Sequence, residues 1–372
     1  VIVLDEVQTL PVDFLQPCLK ALRELVDGYG SSVVLCTATQ PAVEFRSDFG
    51  IGLKNVQPIV QDSAAIYRKL RRVTVTGLGP TADGDLVQRL LAEAQVLCIV
   101  NTRGHAAKLH RELGEDDGHV HLSASMCPAH RSRVLTDVRE RLACGMPCRV
   151  VSTQLIEAGV DISFPVVFRA LAGADAIAQA AGRCNRNGEI LAGGTTYVFE
   201  SEHAASERYL AETAGCTKQI LALYPDLISL EAIEHYFRLY YWSQNQRWDA
   251  KKICDAFHLD GGSKAFPFLF SFATAAAAFR LIDSDQRPVI VPWDDEAREL
   301  CQRVRGTAVP GWAVIRKLQR YTVQVRRRLW EAHINRTIEH VHGQFPILMS
   351  CDMNYSPRTG LDLDGCGNLL DV

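Results

Sequence analysis

The feature that most constrains this chain is a rhythm. Up to about residue 200, short apolar runs rich in β-branched residues alternate with segments of helical period. Val1–Leu4, Val33–Cys36, Val73–Val75, Val96–Val100, Val120–Leu122, Arg149–Ser152, Val166–Arg169 and Thr195–Phe199 read as strands. Most are apolar throughout, as strands covered on both faces of a parallel sheet are. Between them Phe14, Leu15, Cys18, Leu19, Leu22, Leu25 and Val26 recur at helical spacing. So do Leu86, Leu90 and Leu91, and later Val134, Leu135, Val138 and Leu142. A βαβα order with buried strands predicts a doubly wound α/β sheet.

The stretch from Pro41 to Leu70 is less regular and is expected to hold a domain junction. After residue 202 the rhythm changes: Ala204–Leu223 and Leu230–Trp248 read as helices, and a short strand is expected at Tyr321–Val325. These shifts divide the chain into 1–70, 71–201 and an α+β part over 202–372, and 372 residues are enough for two or three domains. With 47% hydrophobic and 22% charged residues, a disordered or fibrous chain is excluded. No apolar run approaches the roughly 20 residues that span a bilayer, so no membrane role is expected. The opening Val1-Ile2-Val3-Leu4-Asp5-Glu6 reads as a buried strand, not a signal peptide, and suggests a natural start upstream. A formal charge of -3 names no electrostatic partner. The 12 cysteines are scattered without a CxxC, and reduced core thiols are expected.

Polar residues gather where strands end. Asp5 and Glu6 follow the first run, and that edge of an open α/β sheet faces ligands. Two carboxylates there suit a nucleotide triphosphatase: the Asp holds Mg²⁺ through water, and the Glu polarises the attacking water. An ordinary Asp-Glu turn also fits. Thr37 and Thr39, in Cys36-Thr37-Ala38-Thr39-Gln40-Pro41, close the next strand with hydroxyls that can bond the acidic pair. Val150–Ile162 runs from a strand into Ser152 and Thr153, then Gly159 and Asp161; the hydroxyls suit phosphates and the carboxylate a ribose. Asn101-Thr102-Arg103, and then Ser123, Ser125 and Arg131, repeat the arrangement. In Gln179–Arg186, a helical spacing would put Gln179, Arg183 and Arg186 on one face, where two guanidiniums suit a γ-phosphate.

In this order the segments resemble a known family. Asp5-Glu6-Val7-Gln8 resembles motif II of superfamily 2 helicases, Thr37-Ala38-Thr39 motif III, and Asn101-Thr102-Arg103 motif IV. Ser152–Asp161 resembles motif V, and Gln179–Arg186 the QxxGRxxR of motif VI. The local spelling, DEVQTLP, TATQP and STQLIEAGVDISFP, is similar to the helicase of type I CRISPR interference, over about residues 1–200. The resemblance implies a RecA-like domain over 71–201, preceded by the tail of a first RecA-like domain and followed by an accessory domain. It implies an ATP- and Mg²⁺-dependent motor moving 3′ to 5′ on single-stranded DNA in the prokaryotic cytoplasm. Its implied partners are the crRNA-guided Cascade complex and upstream helicase and nuclease domains of the same protein. Asp5 and Glu6 become the metal and water pair, Thr37 and Thr39 couple hydrolysis to movement, and Gly159 and Asp161 meet the nucleotide. Gln179 senses it, and Arg183 and Arg186 are arginine fingers. Asn101, Thr102, Ser123 and Thr153 are implied to touch the DNA backbone.

The sequence contains no GxxxxGK[ST] and no His-Asp dipeptide, so neither a phosphate loop nor the family's nuclease signature is written in it. The chain alone is therefore not expected to be a complete ATPase. Another superfamily 2 translocase, or a non-catalytic DNA- or Cascade-binding module, also fits the motifs. One region lies outside the resemblance. Cys301–Trp330 holds eight basic residues and no acidic one, with Arg326, Arg327 and Arg328 in a row. Trp312, Tyr321 and Trp330 are interleaved, which suits single-stranded DNA through phosphate contact and stacking. A solvated face paired with the acidic tail Asp362, Asp364 and Asp371 is the plainer alternative.

Overall fold

The first apolar run folds as a strand, β1 (Ile2–Leu4), and the amphipathic segment after it as a helix, α1 (Leu15–Asp27), which buries Leu15, Leu19 and Leu22. β2 (Val33–Leu35) returns parallel to β1, with Ile2 opposite Val33 and Leu4 opposite Leu35. Within the irregular stretch lies a helix, α2 (Ser63–Leu70), capped by the Asp62 carboxylate on the Ala65 N–H. None of its residues is buried. The computed structural model describes residues 1–37, 39–157, 159–203, 208–257, 271–281, 285–306 and 310–363. The described residues pack as two compact units, one of 1–71, 173–178 and 212–284, the other of 72–172, 179–211 and 285–372.

The second unit is built on six parallel strands. These are β3 (Val73–Thr81), β4 (Gln95–Val100), β5 (His119–Leu122), β6 (Cys148–Thr153), β7 (Val166–Ala170) and β8 (Gly194–Ser201), in the order β3-β8-β7-β4-β6-β5. The helices α3 (Asp83–Ala92), α4 (Arg103–Leu113), α5 (Pro128–Ala143) and α6 (Ala174–Ala181) lie between them in sequence. The α/β sheet is the one that the apolar runs predict. β4 shows why: Leu97 and Ile99 join one core with Val120, Leu122, Val150 and Val167, while Val96, Cys98 and Val100 join another with Leu86, Leu90 and Leu109. The period of two sends alternate residues to opposite faces, and both faces are covered.

Beyond β8 the chain divides between the units. α7 (Arg208–Leu223) is followed by α8 (Leu230–Ser243), whose Ile233, Tyr236, Phe237, Tyr240 and Tyr241 are buried at helical spacing. The spacing predicts this helix as far as Trp248; it stops at Ser243, and a 3₁₀ turn, Asn245–Arg247, follows. Phe49 packs on Tyr241 and Trp248, and Arg247 bonds Asp13 (2.9 Å) and Glu212 (3.0 Å). These contacts join 212–284 to residues 1–71. Two short helices, α9 (Ile253–Ala256) and α10 (Phe272–Ala278), add Ile253 and Ala275 to Phe14 and Cys18. The expected helix residues 204–207 lie outside the described residues.

The remaining elements belong to the second unit. β9 (Gln286–Ile290), α11 (Asp295–Gly306), α12 (Trp312–Leu318), β10 (Thr322–Arg326), α13 (Arg327–His333), β11 (Ile338–Val341) and β12 (Phe345–Leu348) make a sheet of order β10-β9-β12-β11 with helices on it. A hairpin of β13 (Tyr355–Ser356) and β14 (Gly360–Leu361) ties this sheet to the loop after β5. The Tyr355 hydroxyl accepts from the Cys127 N–H (3.0 Å), and the Leu361 N–H donates to the Ser125 carbonyl (2.8 Å). Gly360 (φ 85) packs so closely that a Cβ would lie 2.4 Å from the Ser125 oxygen. Residues 202–372, grouped as one segment by composition, are thus shared between two cores. Among the described residues every cysteine is a free thiol, and no helix is long and apolar enough to cross a membrane.

Candidate functional site

In the first unit the acidic pair stands at the end of β1. Asp5 is exposed, and its Oδ1 accepts the Glu6 N–H at 3.0 Å. Glu6 is left-handed (φ 53), a conformation that costs a side-chain-bearing residue about 1–2 kcal/mol. It leads into the 3₁₀ turn Val7–Thr9. Gln8 is buried under this turn; its amide donates to Glu6 Oε2 and accepts from the Thr37 hydroxyl. Thr37 Oγ1 in turn accepts from the Thr39 N–H at 3.0 Å. The hydroxyls therefore do not bond the acidic pair directly, as the sequence suggests. Gln8, which spacing alone does not single out, relays between Glu6 and the end of β2. An exposed carboxylate oxygen on Asp5 fits Mg²⁺, a hard ion that keeps most of its waters and is held by one or two carboxylates.

In the second unit, polar residues cluster past the C-terminal ends of the parallel strands. Asn101 follows β4; its Nδ2 donates to the Leu171 carbonyl (3.0 Å), and its Oδ1 accepts from Arg169 (2.6 Å). Thr102 caps α4 on the His105 N–H. Ser123 is fully buried, with its Oγ 2.8 Å from His121 Nε2 and accepting from the Ser125 N–H (3.2 Å). Ser152 Oγ donates to the Leu122 carbonyl (2.8 Å), so it knits the sheet and does not point outward to a phosphate. Thr153 is buried, Gly159 is left-handed (φ 69), and Asp161 is exposed.

The Gln179–Arg186 segment is not one helix. α6 ends at Ala181, and residues 183–185 pair with Phe164: the Phe164 N–H donates to the Arg183 carbonyl (2.9 Å), and the Asn185 N–H to the Phe164 carbonyl (2.8 Å). Asn185 is left-handed (φ 44), and its Nδ2 donates to the Arg72 (3.2 Å) and Ile190 (2.9 Å) carbonyls. Asn tolerates this conformation and stops helices in it. Gln179, Arg183 and Arg186 therefore share no helical face. Arg183 is buried and donates to the carbonyls of Ile156 (2.9 Å) and Glu157. Arg186 is more exposed and pairs with Asp161, Nε to Oδ1 at 2.9 Å.

Three features are not announced by the motifs. Arg169, 1% exposed, lies 2.7 Å from Glu157 Oε1; its only signal is a charge inside the apolar run Val166-Val167-Phe168-Arg169-Ala170. Asp83, at the start of α3, bonds His105 Nε2 (2.9 Å), Lys108 Nζ (2.8 Å) and His203 Nε2 (2.9 Å). Asp83, His105 and His203 could together hold a metal ion, but Lys108 Nζ also lies 3.2 Å from His203 Nε2, so an ammonium already fills the place. Nor is the basic run the open patch its composition suggests. Arg303 pairs with Glu299, Arg305 with Glu339, Lys317 with Glu296 and Arg327 with Glu331. Tyr321 is in the core, its hydroxyl donating to Glu296 (2.9 Å), so it cannot stack on a base; Trp312 is 74% exposed. Asp364 and Asp371, expected to pair with the run, lie outside the described residues. Arg316, Lys317 and Arg320 line a hollow of about 410 Å³ beside Pro128.

Residues 92–189 match the family described as CRISPR-associated nuclease/helicase Cas3, C-terminal. The chain is similar to the CRISPR-associated nuclease/helicase Cas3 of Haloferax volcanii, 38% identical over 127 residues, covering 31% of this chain and 13% of that protein. The Methanothermobacter thermautotrophicus protein of that name is 25% identical over 252 residues, covering 60% of this chain and 28% of that one. The chain thus spans less than a third of the curated relatives it matches. The T. fusca Cas3 crystal structure superposes with a TM-score of 0.63 over 99% of this chain and 54% of that one, at 14% identity. Its Cas3-AMPPNP form gives 0.60 at 14% identity, over 99% of this chain and 53% of that one. A chain of a CRISPR RNA-guided surveillance complex, pre-nicking, gives 0.57 at 14% identity, over 97% of this chain and 56% of that one. At such identities the superpositions carry the fold, and the motifs and sequence relatives carry the kinship. The family match over residues 92–189, the two curated relatives and the shared fold together support reading the chain as a fragment of a type I CRISPR helicase.

Proposed function

We propose that these residues form a section of an ATP-dependent helicase that moves 3′ to 5′ on single-stranded DNA, recruited by the crRNA-guided Cascade complex in the antiviral defence of a prokaryotic cell. The observation that carries the reading is the relay Glu6–Gln8–Thr37–Thr39, which wires a water-activating carboxylate to the next strand end. Asp5 would hold Mg²⁺, which would supply charge neutralisation for the nucleotide phosphates. Glu6 orients the attacking water; Thr37 and Thr39 pass on the state of that carboxylate. Gly159 and Asp161 meet the nucleotide, and Gln179 senses it. Arg186 and Arg183 stabilise the charge that develops on the γ-phosphate, Arg183 held from behind by two carbonyls. Asn101, Thr102, Ser123 and Thr153 shape the loops that follow the DNA backbone. The amide of Asn101 and the hydroxyl of Ser123 are turned inward, so these two act by holding the loops in place. Arg326, Arg327 and Arg328 add charge for the strand.

In this reading 1–70 is the tail of a first RecA-like domain, 71–201 the second, and 202–372 accessory sequence whose stretch 212–284 packs with residues 1–71 and whose stretch 285–372 packs with the second. The AMPPNP form of the T. fusca protein and the surveillance complex support nucleotide and Cascade as partners. Further helicase and nuclease domains of the same protein complete the machine. The 372-residue chain, whose sequence has no phosphate-loop lysine, is expected to turn over ATP below about 1 s⁻¹ by itself. The test is phosphate release by the intact protein with single-stranded DNA and Mg²⁺. Glu6→Gln should lower turnover by about 10²–10⁴-fold, the range for a lost acid–base group, while nucleotide still binds. Undiminished turnover in that variant would end the assignment of Glu6.

A further inference from the structure

We propose that Arg169 is a positioning residue that fixes the spacing between the DNA-side and nucleotide-side loops of the second unit's sheet, a role that rests on the helicase reading above. The sheet order sets β7, β4 and β6 side by side. Arg169 of β7 lies opposite Ile99 of β4, and Ile99 opposite Ser152 of β6. From there the guanidinium reaches across the end of β4. Its Nη1 donates to Asn101 Oδ1 (2.6 Å) and to the Ala170 carbonyl of its own strand (3.0 Å). Its Nε lies 2.7 Å from Oε1 of Glu157, on the loop after β6. Asn101 completes the tie by donating to the Leu171 carbonyl, just past β7. One side chain thus joins the loops that follow three adjacent strands.

Stability alone gives no reason for a charge here. The neighbours Val167 and Phe168 are buried as apolar residues, and taking each ion of a pair out of water costs several kcal/mol, about what a well-packed apolar pair avoids. What the guanidinium adds is geometry, because one rigid plane holds a hydrogen bond from Nη1 to Asn101 while its Nε stands in ion-pair contact with Glu157. Asn101 and Thr102 stand at one end of that separation. At the other end is Glu157, whose carbonyl Arg183 also holds and which precedes Gly159 and Asp161. A shift between these ends would misplace the DNA-side loop without removing any group that touches ATP.

The experiment is DNA-stimulated ATPase of the intact protein against single-stranded DNA concentration, with melting followed in parallel. Arg169→Lys keeps the charge beside Glu157 but cannot bridge to Asn101 as well. The half-saturating DNA concentration should rise about tenfold or more, the worth of one charged hydrogen bond. Turnover at saturating DNA should stay within about threefold, since the catalytic groups are untouched. A merely structural role would give the opposite split, a smaller active fraction at unchanged half-saturation. The double variant Glu157→Gln, Arg169→Met removes both charges at similar volume and should show the same split. Native half-saturation in either folded variant overturns the proposal, and so does failure of both to fold, which would make the pair a folding requirement. An unmodified protein without DNA-stimulated hydrolysis would instead defeat the helicase reading.

Discussion

Removing the Asp83 carboxylate should destabilise the second unit in a pH-dependent way. Asp83 is 4% exposed and bonds His105, Lys108 and His203. Burial pulls its pKa up, but hydrogen bonds from Lys108 and His203, with His105, outweigh burial and hold it at about 2 against an ordinary 3.8. A depression of that size corresponds to about 2 kcal/mol of folding stability. The folded pKa lies below the unfolded one, so the contribution is full above about pH 4 and lost as pH falls toward 2. In Asp83→Asn, Lys108 can still approach Glu202 (3.6 Å) and Glu112 (3.8 Å). The cost should therefore fall below the roughly 3–5 kcal/mol of a broken, fully buried pair. Two to three kcal/mol, at about 2–4 °C each for a unit of this size, predicts melting lower by roughly 5–10 °C at pH 7. Thermal unfolding by circular dichroism from pH 7 to pH 3 would show the gap narrowing below about pH 4. A variant that melts with the parent at pH 7, or a gap that persists unchanged at pH 3, refutes the reasoning.

In the intact protein Arg186→Ala should cut ATPase by roughly 10³-fold or more, as loss of an arginine finger does, with DNA binding nearly kept. Normal hydrolysis with lost DNA binding would move Arg186 to the DNA side. Replacing Arg326, Arg327 and Arg328 with Gln should weaken single-stranded DNA binding and flatten its salt dependence by up to about two units, at a slope near 0.7 per phosphate. Arg327 already pairs with Glu331 at 2.7 Å, a contact that must open before it reaches a phosphate. A triple variant with the parent's affinity and slope would make the row a structural face.

Local pattern wrote most of the parallel sheet. β4 is apolar on both faces because both are covered, and any window on Val96–Val100 shows it. Strand ends were legible for the same reason: polarity resumes where the cover stops, and Asp5, Thr37 and Asn101 stand within two residues of the ends of β1, β2 and β4. The path after Gln179 was not. The spacing of Gln179, Arg183 and Arg186 fits a helix, but a single left-handed residue, Asn185, and the pairing of 183–185 with Phe164 outweigh it. Tyr321 misled differently. Among arginines it resembles a stacking residue, and only the packed core shows its ring inside and its hydroxyl on Glu296.

The division of the chain between two cores lies further from local pattern, because contacts distant in sequence decide it. Phe49 meets Tyr241 and Trp248 across about 200 residues, and no window of the chain contains both partners. Arg169 stands between the two cases. A charge inside an apolar strand must find a partner, because leaving it unpaired costs more than a strand of five residues can supply. The sequence therefore announces that an acid lies nearby without saying which one. Glu157 is 12 positions earlier, in a loop that also holds Asp161. The choice follows only once the strand order is known: with β4 between β7 and β6, a guanidinium leaving β7 toward the strand ends must cross Asn101 and arrive at the first turn after β6.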